Sequence, residues 1–156
     1  MIEKYFQNLC EIDGIEAFAL LDNNNHIIGT WTNSQYDSPI FSEIGESYLQ
    51  IFGIEENLKF HVDEIVLQFD RGLIFVRRHA KFLLLIIANS WVDTSHVRLA
   101  ANVSIFDLEG SRKIQRALNK LPSTKPNRFE EMKLDDVEYF MINKIVESGS
   151  AFGNPD

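Results

Sequence analysis

The chain has few of the features that would place it among secreted or membrane-spanning proteins. Its 156 residues include one cysteine, Cys10, so no disulfide can form within the chain, and this usage suits a reducing compartment. The longest apolar run, at residues 82–88, is far shorter than the roughly 18 residues of a membrane span. The N-terminus lacks the basic segment and apolar run of a signal peptide. We therefore predict a cytoplasmic protein without a membrane span.

Positive charge is also scarce. The 15 Lys and Arg residues are outnumbered by 23 Asp and Glu residues, and the formal net charge is -8. Because nucleic-acid binding depends on cationic side chains that neutralise phosphates, this balance argues against a nucleic-acid partner.

The sequence also lacks recognisable catalytic patterns. It contains neither GxxxxGKS nor GxGxxG, and neither HExxH, CxxC nor GxSxG. His61 and Asp63 could share one face of a strand as metal ligands, but no third ligand accompanies them, so a solvated strand edge is the preferred interpretation. We predict a protein that is not an enzyme and that needs no metal or cofactor.

What the chain does contain is a stretch, residues 60–88, that is typical of three consecutive strands. Asp70-Arg71-Gly72 indicates a hairpin turn, since glycine accepts positive φ at no steric cost. The last run, residues 82–88, is apolar throughout, which predicts a central strand covered on both faces. The first run, residues 60–69, slips in apolar phase at Asp63-Glu64, which predicts a bulge or break in an edge strand.

Two more strands and three helices complete the predicted core. Apolar spacing predicts a short amphipathic helix over residues 1–12 that stops at Gly14. Residues 15–21 and 26–31 are predicted to form a hairpin around an Asn-rich turn. A long helix over about 95–121 follows the three-strand stretch, with Gly110 as a candidate bend. The predicted class is α+β, an α/β sandwich. Its five-stranded antiparallel sheet follows the order helix-β-β-helix-β-β-β-helix, with helices on both faces.

The second helix has an unusually broad apolar side. Ser38 is its predicted N-cap, Pro39 its first helical residue and Gly53 its end. Gly45, in the middle, costs about 1 kcal/mol relative to Ala, so its presence indicates a close backbone approach. Two interpretations of this helix are open: it packs on the sheet alone, or it packs on the sheet and also contacts another subunit.

Four basic or potentially basic side chains crowd the turn before the last strand: Arg77, Arg78, His79 and Lys81. Arg77, Arg78 and Lys81 could bind an acidic partner surface or a phosphate. The preferred alternative is a solvated hairpin end whose charges discourage edge-to-edge aggregation.

The element order and several local patterns resemble the roadblock / dynein light-chain family. The segment GIEAFALLD, from Gly14 to Asp22, is similar to the family's entry into its first strand. TSHVRL, from Thr94 to Leu99, is similar to the start of its last helix, and the three-strand stretch is similar to its long meander. The resemblance covers residues 1–121, which we predict to be a roadblock-like domain. Residues 122–156 are predicted to be a linker and a C-terminal amphipathic tail helix. The departures are Asn25 in place of a turn glycine and the basic turn before the last strand.

The resemblance implies a dimer with itself or with a paralogous subunit, formed by pairing of third strands and packing of second helices. The implied interface comprises Phe41, Ile44, Gly45, Tyr48, Phe60, Val62, Ile65 and Leu67. It further implies a non-catalytic regulator or scaffold that binds a small Ras-like GTPase or a motor-type complex.

A sensory ligand-binding domain of the PAS or GAF kind is the alternative, because such domains also wrap helices around an antiparallel sheet. It would need an interior pocket with converging polar groups, whereas the predicted core positions are almost all aliphatic or Phe. A thermal-shift response to haem, flavin or cyclic nucleotides would favour this alternative.

Overall fold

A computed structural model describes residues 2–33, 36–58 and 61–121, and it contains one five-stranded antiparallel sheet. Phe60 and the predicted linker and tail at 122–156 lie outside the described residues. The strands are β1 (Ile15–Asp22), β2 (Ile27–Thr32), β3 (Glu64–Phe69), β4 (Gly72–Arg78) and β5 (Phe82–Ala88). Their order across the sheet is β2-β1-β5-β4-β3, so β2 and β3 are the edges. The predicted α+β class is confirmed.

Helices cover both faces of the sheet. They are α1 (Gln7–Cys10), α2 (Ser38–Asn57), α3 (Thr94–Gly110) and α4 (Arg112–Leu118), and a 3-10 turn at Glu3–Tyr5 precedes α1. One face packs against α2, and the other packs against the N-terminal turn, α1, α3 and α4. None of the helices in the described ranges is long and apolar enough to cross a membrane.

The strand β5 is the centre of the sheet, as its apolar run predicted. All seven of its residues are buried, and it pairs with β1 on one side and β4 on the other. Because side chains alternate between faces along a strand, Leu84 and Ile86 join the core under α3, whereas Leu83 and Leu85 join the core under α2. The alternation lets this one strand contribute to both cores.

Residues that locally demand special backbone conformations are found where the sequence indicated them. Gly14 has φ 94° just before β1, and Asn25 has φ 65° in the β1–β2 turn. The side chain of Asp93 caps α3 by accepting a hydrogen bond from the Ser95 amide at 2.9 Å. Asp37, not Ser38, stands at the N-cap position of α2, and its side chain makes no capping bond.

Three helix boundaries differ from the prediction. The N-terminal helix is interrupted at Phe6, whose ring is fully buried and lies 4.9 Å from that of Phe18. The second helix continues through Gly53 to Asn57. The long C-terminal helix does not merely bend at Gly110: Ser111 is extended, with ψ 112°, and α4 then turns so that its apolar side is buried. At Phe6 and Gly53 tertiary burial outweighs the local signal, and at Gly110 burial of α4 extends the expected bend to a full break.

The β3–β4 hairpin also differs from its prediction. Of the two expectations at Asp63-Glu64, the bulge is wrong, because pairing runs without interruption from Glu64 opposite Arg77 to Phe69 opposite Gly72. The predicted edge position of the strand is confirmed. The alternation of apolar and polar residues changes at Asp63-Glu64 because the strand begins at Glu64. Positive φ is not the reason for Gly72 either. A Cβ at Gly72 would lie 2.8 Å from the backbone oxygen of Ala88, so close strand packing requires the glycine.

Gly45 gives a first prediction, because α2 crosses the sheet closely at that residue. A Cβ there would lie 2.4 Å from both Leu21 Cδ1 and Asn25 Oδ1. Leu21 is fully buried, and the Asn25 amide is held by its hydrogen bond to the Ser42 carbonyl. Gly45→Ala is therefore expected to lower the free energy of unfolding by about 1–2 kcal/mol, because overpacking outweighs the gain in helix propensity.

The matched control is Gly110→Ala at the end of α3, where a Cβ would meet no atom within 4 Å. Urea unfolding should show that this variant is as stable as the wild type or slightly more stable. Equal effects of the two substitutions would contradict the close approach at Gly45.

Candidate interaction surface

The strand β3 presents an open edge. It pairs with β4 on one side, and no other strand in the described part of the chain pairs with its outer side. Ile65 packs toward the α2 core, so by alternation Leu67 and Phe69 point to the same face of the sheet. Leu67 and Phe69 are both exposed. An edge strand that exposes apolar side chains is a surface suited to pairing with another chain.

A groove adjoins this edge on the α2 face. It lies between the last turns of α2 and the start of β3 and has a volume of about 410 Å³. Its walls are apolar: Ile51, Phe52, Ile54, Leu58, Val62 and Ile65. Glu55 is the one charged residue among the described residues of the lining. Ile51 is exposed and continues the apolar surface of the groove outward along α2.

Glu55 is a buried carboxylate that joins the groove to the sheet. Its Oε2 accepts a hydrogen bond from Arg78 Nη1 at 2.9 Å, and its Oε1 accepts one from the Val62 amide at 2.7 Å. The Arg78 guanidinium also lies over the ring of Phe52, 5.3 Å from its centroid. Because hydrogen-bonded carboxylate–guanidinium pairs are strong and directional, Glu55 fixes the end of α2 against β4 and the chain leading into β3.

A second carboxylate holds the opposite face of the same hairpin. Glu64 accepts hydrogen bonds from Arg98 Nη2 at 2.6 Å and from Arg77 Nη1 at 3.2 Å. The hydrogen bond to Glu64 raises the pKa of Arg98. β3 is thus joined to α3 by one ion pair and to β4 by another.

The predicted basic cluster is divided by this geometry. Arg77 and Arg78 point to opposite faces and pair with Glu64 and Glu55, respectively. The Lys81 ammonium donates to the Leu121 carbonyl at 3.2 Å. These contacts give the three cations a structural role, and their binding to a partner remains a prediction.

The sequence-predicted interface residues fall into two groups. Phe41 and Tyr48 are buried between α2 and the sheet, with Gly45 between them. The Tyr48 hydroxyl makes no hydrogen bond with the described residues, and burial raises its pKa to about 12. The residues nearer the surface are Ile44, Val62, Ile65 and Leu67.

Sequence reasoning missed several residues of this surface: Ile51, Ile54, Leu58 and Phe69. Ile54 and Leu58 were missed because the second helix was expected to end at Gly53. The alternation of Ile65, Leu67 and Phe69 could have indicated Phe69, which continues the same face.

His61 and Asp63 do approach each other, with His61 Nε2 2.6 Å from Asp63 Oδ1. His61 Nδ1 lies 3.7 Å from Glu55 Oε1. Within the described ranges, no group of three or more His, Cys, Asp and Glu side chains could hold a metal ion. The pair borders the groove as a polar rim.

Comparison with protein-family models gives no match, and comparison with curated protein sequences gives none either. Solved structures do match. A Roadblock/LC7 domain from Streptomyces avermitilis is similar with a TM-score of 0.57 and 13% identity, over 67% of this chain and 90% of that chain. MglB from Myxococcus xanthus gives 0.63 and 15%, over 75% and 89% of the two chains. A further structure, described as MglB with tetrameric arrangement, gives 0.60 and 14%, over 75% and 89%. The chain therefore has the roadblock fold.

Proposed function

We propose, from the roadblock fold and the open β3 edge, that the protein is a dimeric, non-catalytic regulator or scaffold of the cytoplasm. Its dimer forms between two copies, or with a paralogous subunit, by antiparallel pairing of β3 strands into a continuous sheet. The second helices of the two subunits then pack together on one face. The exposed apolar side of β3 carries this proposal.

Three features support pairing at β3 over a solvated edge. Leu67 and Phe69 expose apolar area that a monomer would leave in water, at a cost of about 25 cal/mol per Å². The α2 groove is continuous with that edge through Ile65. Glu64 joins the first residue of β3 to Arg77 and Arg98, and Glu55 holds the Val62 amide just before the strand, so pairing needs little further ordering of this end of β3.

The partner class rests on the sequence resemblance together with the fold. The family resemblance implies a small Ras-like GTPase or a motor-type complex as the partner. The described part of the chain adds the exposed β3 edge and the α2 groove, which are surfaces suited to protein contacts. A dimer would present its paired second helices as one platform, to which the partner protein binds.

The proposal predicts a particle of twice the chain mass at tens of micromolar. Sedimentation equilibrium or light scattering on the full chain would measure it, and a strict monomer would contradict the dimer.

The partner is tested by affinity capture from lysate of the source organism. The purified chain is the bait, and capture is performed with GDP and with a non-hydrolysable GTP analogue. Mass spectrometry should then identify a Ras-like GTPase held in one nucleotide state only. Capture of motor-complex subunits in both states would favour the scaffold form of the proposal.

A further inference from the structure

A basic surface lies at the C-terminal end of the described chain. Residues 111–121 contain four Lys and Arg residues and no Asp or Glu, in a chain whose formal net charge is -8. Arg112, Lys113 and Arg116 are exposed and lie within an arc of about 100° around α4. Lys120, which is also exposed, follows in the turn after the helix. These four residues are called the α4 basic face below.

Three cations of the α4 basic face form no ion pair within the described part of the chain. The arginines of β4 and α3, in contrast, are held by the carboxylates of Glu55 and Glu64. No carboxylate among the described residues lies within ion-pair distance of Arg112, Arg116 or Lys120. An anionic partner can therefore neutralise these cations without breaking an ion pair of the described fold.

The outer side of α3 is uncharged and mainly apolar. It consists of five exposed residues that share an arc of about 100° around the helix: Ser95, Leu99, Asn102, Val103 and Phe106. Phe106 is 75% exposed and Leu99 is 63% exposed. Apolar side chains that project into water favour contact with another apolar phase, because that contact removes their surface from water.

The outer side of α3 and the α4 basic face belong to one surface. α3 ends at Gly110 and α4 begins at Arg112, so Ser111 alone separates the two helices. Buried residues of both helices, Leu108 and Leu118 among them, belong to the same core. The two outer sides therefore both face away from this core, on the face of the sheet opposite α2.

We propose that this combined surface docks on an anionic lipid bilayer. Phe106, Leu99 and Val103 enter the boundary between head groups and acyl chains, and the α4 basic face binds the anionic groups of the lipids. Helices that lie on a membrane surface combine apolar side chains with Lys and Arg in this way. Each cation close to an anionic leaflet contributes about fivefold in affinity.

The shape of the surface favours a bilayer over an acidic protein. Phe106 projects from α3 and does not line the groove between α1 and α3, which Leu99 and Val103 border. A fluid bilayer accommodates projecting apolar side chains, whereas a folded partner must supply a complementary pocket for them. Asp107 and Glu109 lie on the two sides of Phe106 around the helix, so the apolar contact does not require their burial.

The acidic residues are distributed unevenly with respect to this surface. Residues 5–58 contain nine Asp and Glu residues and no Lys or Arg, and they include all of α2. α2 covers the other face of the sheet, and repulsion between a bilayer and its carboxylates is screened beyond about 8 Å at physiological ionic strength. The docking uses neither the β3 edge nor the α2 groove, so it is independent of the dimer and the partner proposed above.

Co-sedimentation of the full chain with large vesicles tests the docking. One set of vesicles contains phosphatidylserine and phosphatidylcholine in equal parts, and the other contains phosphatidylcholine alone. We expect binding to the first set at low salt and at least about tenfold weaker binding to the second. Binding to the first set should decrease as salt is added, because salt screens the attraction between cations and lipids.

Arginine variants test the α4 basic face. Arg112→Gln/Arg116→Gln removes two cations and should weaken binding to the phosphatidylserine vesicles about 25-fold, and Arg116→Gln alone should weaken it about fivefold. Arg71→Gln is the matched control for the single variant, because Arg71 is exposed on the β3–β4 turn and its loss changes the net charge equally. This control should bind the vesicles as the wild type does.

A separate variant tests the apolar contact. Phe106→Ala should weaken vesicle binding at least about fivefold, because the exposed ring can no longer transfer from water into the bilayer. Ile27→Ala is its control, since Ile27 is an exposed apolar residue on β2, and it should leave binding unchanged. Circular dichroism checks that every variant is folded.

Absence of binding to the phosphatidylserine vesicles at low salt would overturn the proposal. Binding that is unchanged by Arg112→Gln/Arg116→Gln, or by Phe106→Ala, would also overturn it. Soluble polyglutamate tests an acidic protein as the occupant: if it binds through the same arginines and the vesicles do not bind, the surface belongs to a protein partner and the proposal fails. The mass of the proposed dimer is measured without lipid, so failure of the docking and failure of the dimer are distinguishable.

Discussion

Replacing Glu55 with Ala is expected to lower the free energy of unfolding by about 3 kcal/mol, the lower end of the range for removing one partner of a buried ion pair. The Glu55 side chain is 5% exposed and that of Arg78 is 13% exposed. The substitution removes the carboxylate that faces this guanidinium and the acceptor for the Val62 amide. The loss of stability therefore combines the cost of an unpaired charge on Arg78 with the cost of a Val62 amide that has lost its acceptor.

Urea unfolding at pH 7 and fixed protein concentration measures this loss. Glu64→Ala is the matched control, because Glu64 also pairs with arginines but its partners Arg77 and Arg98 are 29% and 43% exposed. Its loss should be clearly smaller, since water screens and solvates the exposed guanidinium groups. Equal losses in the two variants would contradict the special role of burial at Glu55.

A double substitution distinguishes the contribution of the Glu55–Arg78 ion pair from the cost of leaving one charge buried without its partner. Glu55→Leu/Arg78→Met replaces both charges by apolar groups of similar size, so no charged partner stays in the low-dielectric site. Its loss of stability should be smaller than that of Glu55→Ala alone. A loss equal to the sum of the two single substitutions would show that Glu55 and Arg78 do not couple.

Leu67→Asp is expected to convert the proposed dimer to a monomer, with at least a hundredfold increase in the dissociation constant. A hundredfold change corresponds to about 2.7 kcal/mol, which is within the cost of burying an unpaired carboxylate at an interface. Leu67 is 42% exposed on the outer strand β3. Because the side chain already faces solvent in a single chain, the fold should tolerate the change.

The other edge of the sheet supplies the matched control. Ile27 on β2 is 38% exposed, so Ile27→Asp makes a similar change at an equally accessible edge position. Sedimentation equilibrium should show a monomer for Leu67→Asp and a dimer for Ile27→Asp, with circular dichroism confirming that both are folded. A monomer only for Ile27→Asp would place the interface at β2, and a dimer for both would exclude β3 pairing.

The same variant links the dimer to its function. If the partner protein binds the platform formed by paired α2 helices, Leu67→Asp should lose capture of the GTPase or motor subunit, and Ile27→Asp should retain it. Retained capture by a monomeric Leu67→Asp would assign partner binding to a single subunit and leave the dimer proposal to the mass measurement.

The sequence by itself determined the parts of this protein that depend on local or one-dimensional properties. The unbroken apolar run of β5 predicted a strand covered on both faces, because only such a position keeps all seven side chains from water. Gly14 and Asn25 indicated turns, since few other residues tolerate positive φ. The order of elements, together with local patterns such as GIEAFALLD and TSHVRL, carried the roadblock resemblance, which the solved structures confirm for the fold.

Only the tertiary structure decided where several elements end and what the charged side chains do. α2 passes Gly53 although glycine has a low helix propensity, because burial of the neighbouring apolar side chains outweighs that propensity. At Gly110 the sequence indicated a bend, but only the fold shows a full break before α4. Arg77 and Arg78 are adjacent in sequence but point to opposite faces of β4. They reach Glu64 and Glu55, 13 and 23 residues away in sequence. Pairs so distant in sequence are created by the folding of the chain, and no local pattern encodes them.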